Sequence, residues 1–336
     1  MKAPEKEELY PLLFEPFYKK VLWGGDKLAS KLKRPVTPDM GPIGESWEIC
    51  DRPGIESRIT NGSMAGATLH DLLECAGADV VGPKYQGERF PLLVKLIDSK
   101  KNLSMQVHPQ ESYCSENPDE HCEPKTEMWY ILDADPGAKI YAGLKSTASR
   151  QLFLSHMNSA AIENDIQCFD SIPGDAYFIN AGRVHAIGAG NLILEISQNS
   201  NTTFRLYDWG RTDANGKPRE LHLEQSAACM DFMDRSVPRI SGACDTAKYN
   251  RKYPVINRCP FFQCDDLRLV DEWRDDTAST GSFHILTPVN APISVQNRRF
   301  TTEVPAGYSV LVPACFGRYI VKVTSGITTT VIRTTL

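Results

Sequence analysis

Most of the chain reads as short β-strands in which apolar and polar positions alternate. The runs RFTTEVPAGYSVLVP, GNLILEISQNS, SFHILTPVNAPISVQ and RYIVKVTSGITTTVIRTTL are rich in Val, Ile, Thr and aromatic residues, with turns marked by Gly, Pro, Asn and Asp. Helical spacing is confined to a few places. ATLHDLLECAGA sets Leu69, Leu72 and Leu73 at helical intervals behind a candidate cap, Thr68, and TASRQLFLSHMNSAAIEN predicts a second helical region. The pattern predicts a mainly β protein with short helical insertions, for which a sandwich or jelly roll is the natural architecture.

A faint internal repeat adds to this. PGDAYFINAGRVH from Pro173 resembles PAGYSVLVPACFGR from Pro305, each reading as a glycine turn, a β-run and a small-residue turn. With Gly174 set on Gly307, His185 falls opposite Arg318, so the second copy lacks the histidine. The expectation is two related β-barrels, one with a working site. The polar stretch RSVPRISGACDTAKYNRKYP places a boundary near 235–255, giving a catalytic domain over 1–240 and a C-terminal β domain over 241–336.

One alternating stretch stands out. In LSMQVHPQ, Leu103, Met105 and Val107 occupy one face of an extended chain, and Ser104, Gln106 and His108 the other. The apolar face belongs to a core; the polar one asks for a reason. In EPKTEMWYIL, Lys125, Glu127 and Trp129 share a face, and in INAGRVHAIGAG His185 follows a glycine turn with Arg183 on its side. Gln106, His108, Glu127 and His185 together offer two imidazoles, a carboxylate and an amide oxygen, a donor set that suits zinc. Taken singly, each is equally a hydrogen-bonded core residue or a solvated face.

Lone charges inside apolar strands point the same way. Lys95 in PLLVKLID, Glu195 in LILEIS and Arg205 in TTFRLYD each need a partner or an edge position. Three of them near the candidate metal residues favour a polar cavity that takes an anionic ligand.

Composition narrows the class. With 336 residues, 41% hydrophobic and 24% charged, the chain is long enough for two modest domains. A net charge of −5 offers no general attraction to nucleic acid or an anionic membrane. The opening MKAPEKEELYPLLFEP lacks the pattern of a signal peptide, and no apolar run reaches the ~18 residues of a spanning helix. Ten scattered cysteines without a CxxC pair fit reduced thiols in the cytoplasm. Cys114, His121 and Cys122 make a conceivable metal cluster, but their spacing fits no common zinc site.

SMQVHP, KTEMWYIL, AGRVHAIGAG and EISQNSNTTFRLYDWGR, in that order, resemble the short bacterial form of the type I mannose-6-phosphate isomerases, as do YKKVLWGG and GESWEI nearer the start. The likeness runs over most of the chain and thins after about residue 240. KTE stands where many members have Lys-Pro-Glu, and Asn180 where a proline is common; neither change removes a candidate ligand.

The resemblance implies two cupin-type barrels, the C-terminal one metal-free, and one zinc ion per chain. It implies conversion of mannose 6-phosphate to fructose 6-phosphate. By position it assigns Gln106, His108, Glu127 and His185 as metal ligands and Arg205 as the catalytic arginine. Glu195 is then a candidate proton carrier with Lys125 as rival or assistant, and Lys95, Arg211 and Ser104 are candidates for the phosphate. The implied partner is a small sugar phosphate, with neither nucleic acid nor membrane. Another metal cupin enzyme, such as an iron oxygenase, and a non-catalytic sugar-phosphate-binding cupin are the alternatives.

Overall fold

The computed structural model describes residues 3–85, 87, 89–212, 215–242 and 248–336. Residues 243–247 of the expected boundary segment lie outside that set. Two compact units are present. One comprises residues 1–17, 47–94 and 243–336; the other comprises 18–46 and 95–242. Among the described residues no helix is long and apolar enough to cross a membrane.

The protein is mainly β, as the alternation predicts. The four quoted runs form the strands Thr301–Val304 and Val310–Val312, Asn191–Gln198, His284–Pro288 and Ile293–Gln296, and Arg318–Val323 and Thr329–Thr335. The first expected helix spans Leu69–Val81, with the Thr68 side chain accepting from the Asp71 amide and Leu69, Leu72 and Leu73 buried. The second divides into a helix, Arg150–His156, and a 3-10 turn, Ala160–Asn164.

In the 18–46/95–242 unit, one sheet carries the strands Ala176–Ile179, Glu127–Ala134, Asn191–Gln198, Leu92–Ser99 and Phe17–Gly25 in that spatial order. A second sheet runs Ile166–Asp170, Lys139–Leu144, His185–Ile187, Met105–Val107 and Phe204–Tyr207. Trp129, Ile131, Tyr177, Ile179 and Ile193 of the first sheet share one apolar core with Ile140, Ala142 and Ile187 of the second. Burying such side chains contributes roughly 1.5–3 kcal/mol each before entropy is counted.

The other unit repeats this order. Its first sheet runs Val310–Val312, His284–Pro288, Thr329–Thr335, Gln263–Leu269 and Arg251–Ile256; its second runs Thr301–Val304, Ile293–Gln296, Arg318–Val323 and Glu272–Asp276. Leu267, Leu286, Val310 and Val331 pack with Ile293, Val295, Val304 and Val321 between them. The turn at Gly174 and the turn at Gly307 have φ of 93° and 79°, left-handed in both copies.

Candidate metal centre

Three strands and one glycine bring the candidate ligands together. His185 lies opposite Gln106 across an antiparallel pair, and Gln106 lies opposite Arg205 on its other side. Gly182, at φ +84°, donates its amide to the His108 carbonyl at 2.8 Å. A Cβ there would stand 2.4 Å from Gln110 Nε2 and 3.0 Å from the Cys229 carbonyl, so the turn that delivers His185 has no room for a side chain.

His108, Glu127 and His185 place their donor atoms within 4.8 Å of one another, all buried. Glu127 Oε1 is 3.5 Å from His108 Nε2 and 3.6 Å from His185 Nε2. Each imidazole is held from behind: His108 Nδ1 bonds the Thr202 carbonyl at 2.8 Å, and His185 Nδ1 the Arg183 carbonyl at 2.8 Å. Because a carbonyl only accepts, both Nδ1 atoms carry a proton, and both Nε2 atoms are left facing the carboxylate. Burial, then the neighbouring His108, lowers the His185 pKa to about 3, so the ring stays neutral.

The Gln106 amide completes the group, with Nε2 at 3.2 Å from His185 Nε2. A half-turn of that amide presents its oxygen instead. His108 Nε2 and Glu127 Oε1 are buried without a hydrogen-bond partner, an arrangement that is costly unless a cation fills the space between them. The donor chemistry fits a divalent metal.

Positive charge surrounds this group. Lys125 Nζ lies 2.5 Å from Glu127 Oε2 and 2.9 Å from Glu195 Oε1. Burial works against the ammonium, but the two carboxylates outweigh it and raise the Lys125 pKa. Burial likewise works against the Glu127 carboxylate; the Lys125 ammonium overcomes it and holds the group well below the usual range. Lys95 stands 3.7 Å from Glu195 and 3.8 Å from Glu45, and there burial wins and lowers its pKa.

Arg205 donates from Nε to Ser104 Oγ at 3.1 Å, and Ser104 donates on to Gln106 Oε1 at 3.4 Å. Its Nη1 bonds the Glu220 carbonyl at 2.8 Å, and its amide bonds His222 Nδ1. The structure thus gathers Gln106, His108, Glu127, His185, Lys125, Glu195, Lys95, Ser104 and Arg205 into one connected set. Arg211 is engaged elsewhere: it pairs with Asp208 and donates to the Asn102 carbonyl. Arg183 leaves the polar face and forms an ion pair with Asp234 at 2.5 Å. The Cys114 and Cys122 sulfurs are 2.6 Å apart, but His121 does not join them; among the described residues the one group of three His, Cys, Asp or Glu donors is the one above.

Sequence reasoning missed Glu45, the Thr202 carbonyl, and the Glu220–His222 segment that anchors Arg205. Glu45 left a trace, being a carboxylate inside the buried strand Ile43–Ile49. A backbone carbonyl leaves none.

The family model for the catalytic domain of type I phosphomannose isomerase matches residues 12–128. The mannose-6-phosphate isomerase of Streptococcus mutans is 36% identical over 255 residues, covering 75% of this chain and 77% of that protein. Mannose-6-phosphate isomerase ManA of Bacillus subtilis is 40% identical over 217 residues, covering 64% of this chain and 66% of its own. The crystal structure of the Bacillus subtilis mannose 6-phosphate isomerase superposes with a TM-score of 0.84 at 29% identity, over 98% of this chain and all (100%) of that one. The chain therefore belongs to the type I phosphomannose isomerase family.

Proposed function

We propose that this isomerase interconverts mannose 6-phosphate and fructose 6-phosphate, and that Gln106, His108, Glu127 and His185 hold one zinc ion. The observation that carries the reading is the pair of imidazoles, each held at Nδ1 by a backbone carbonyl, whose Nε2 atoms face an orphaned carboxylate oxygen. Two nitrogen donors with carboxylate and amide oxygens suit zinc, and the bound ion would supply Lewis acidity toward the sugar oxygens.

The chemistry is proton transfer through a cis-enediolate. A proton leaves C2 of the aldose and returns at C1, while the hydroxyl proton passes from O2 to O1. Glu195, 2.9 Å from the Lys125 ammonium, takes the carbon-bound proton in this proposal. Lys125 keeps Glu127 ionised and pairs with Glu195. Arg205, tied to the ligand group through Ser104 and Gln106, offsets the negative charge that develops on the enediolate. Lys95 and Arg211 are proposed for the phosphate with Ser104 adjoining. Both cations already face carboxylates, so the phosphate has to compete with Glu45 and Glu195 at one and Asp208 at the other.

We read the two sandwiches as jelly-roll barrels and the compartment as the cytoplasm, which suits exposed and half-buried thiols such as Cys168 and Cys75. Glu195→Gln tests the assignment of the base. Turnover reduced by ~10²-fold or more, with zinc content unchanged, supports it; near-normal turnover removes Glu195 from that role.

A further inference from the structure

The unit that contains residues 243–336 has an interior polar group of its own, and strand register relates it to the metal centre. Glu127 pairs with Ile179 and Ser197, and Trp129 with Glu195. In the other unit His284 pairs with Val312, and Leu286 pairs with Arg333. By this register His284 takes the place of Glu127 and Arg333 that of Glu195. Tyr319 faces Asp275 as His185 faces Gln106.

Both His284 nitrogens and the Arg333 guanidinium are already engaged. His284 Nδ1 bonds the Tyr319 hydroxyl at 2.6 Å, and its Nε2 meets Thr280 Oγ1 at 3.0 Å. Arg333 donates to Asp275 Oδ2 at 2.7 Å and to Asp265 Oδ2 at 2.5 Å. A guanidinium supplies the positive charge that a metal would bring, and the interior is closed by its own hydrogen bonds.

The space lies outside this group. A cavity of about 1130 Å³ has Tyr319 and Asp275 in its lining. Arg274, Arg298, Arg299 and Arg318 also line it, with Lys6, which pairs with Asp79 at 3.0 Å, against the carboxylates of Glu7, Asp275 and Asp276. Asp275 is already neutralised by Arg333, and Arg318 has only a 3.5 Å contact with Asp276 while 92% exposed. Arg298 has no ion-pair or hydrogen-bond partner among the described residues, and Arg274 has none beyond its charge acting on Glu272. Phe300 and Phe316 form an apolar wall, their ring centroids 6.5 Å apart, and Phe316 is 6.2 Å from the Tyr319 ring.

Cations grouped around an aromatic wall are poorly placed unless an anion joins them, since like charges repel and each unpaired guanidinium must stay hydrated. We propose that this cavity is a second ligand site, distinct from the metal centre, that takes a phosphorylated small molecule with a ring. Arg274 and Arg298 grip the phosphate, and the ring lies against Phe300 and Phe316. A sugar phosphate and a nucleotide share this chemistry.

The test is equilibrium dialysis of the zinc-loaded full chain with radiolabelled fructose 6-phosphate and, separately, ADP. Each is run on wild type and on Arg274→Glu/Arg298→Glu. The proposal expects two fructose 6-phosphate sites per chain with one lost in the double variant, or one ADP site weakened at least tenfold. The first result identifies a sugar phosphate and the second a nucleotide. Zinc content and melting temperature stay as in wild type, which separates site loss from unfolding. Single-site binding of fructose 6-phosphate together with no ADP binding overturns the proposal, as does a second site that the double variant leaves intact.

Discussion

Lys125 Nζ lies 2.5 Å from Oε2 of Glu127, an ion pair in which both side chains are almost entirely removed from water. The same ammonium also serves Glu195, which Lys95 approaches only to 3.7 Å, so Lys125 is the main compensation for two buried carboxylates. Lys125→Met strips that compensation from both. Loss of one partner of a buried pair typically costs about 3–5 kcal/mol, and urea denaturation of this variant is expected to show a loss of that order. Adding Glu195→Gln to the same variant recovers part of it, because one orphaned charge is gone. A Lys125→Met protein as stable as wild type would mean that the pair adds nothing to folding.

Each imidazole presents Nε2 only because a backbone carbonyl holds Nδ1. His185→Ala removes a donor and also the ring packed against Trp129 at 5.3 Å. Zinc retained after dialysis is expected to fall from about one ion per chain to well below half, by elemental analysis, with turnover lost in parallel. Full zinc occupancy in this variant would take His185 out of the ligand set.

Arg205 reaches the ligand group through Ser104, and its guanidinium fork is fixed by the Glu220 carbonyl. Lysine keeps the charge but loses the fork, so Arg205→Lys is not a conservative change here. The expected effect is a fall in kcat of roughly 10²–10³, with zinc content unaltered and KM moved much less. An unchanged kcat with a raised KM would assign Arg205 to substrate binding alone.

Asp98 gives a pH dependence with a definite sign. It is buried, and burial raises its pKa from 3.8 to about 6, against hydrogen bonds from the backbone amides of Leu28 and Lys27. The folded protein therefore holds this proton more tightly than the unfolded chain. The associated stability is fully present below pH about 4 and is lost as pH rises through about 6, amounting to about 3 kcal/mol. Asp98→Asn keeps the shape without the proton. The stability of wild type relative to this variant is expected to fall across that window, and a difference that is flat with pH would contradict the assignment.

The alternation in LSMQVHPQ was enough to put Gln106 and His108 on one face, because side chains two apart on a strand must point the same way. The Thr68 cap and the strand runs were legible for the same local reason. What escaped is set by contacts across the chain. Arg183 reads as a neighbour of His185, yet its partner Asp234 comes 51 residues later. Arg211 reads as a free phosphate ligand, yet Asp208, three residues before it, takes one side of its guanidinium. Leu12 and Leu311 pair across nearly the whole chain, and no periodicity announces such a partner. The cavity lined by Arg274 and Arg298 is not at the metal centre; donor chemistry, not volume, locates the candidate site.

The most direct test is the interconversion assay with metal bookkeeping. Purified protein receives mannose 6-phosphate, and fructose 6-phosphate is followed before chelation, after it, and after zinc is returned. The expected result is activity that disappears with the metal and returns with about one zinc per chain. Protein that carries one zinc per chain and still forms no fructose 6-phosphate would contradict the proposed reaction.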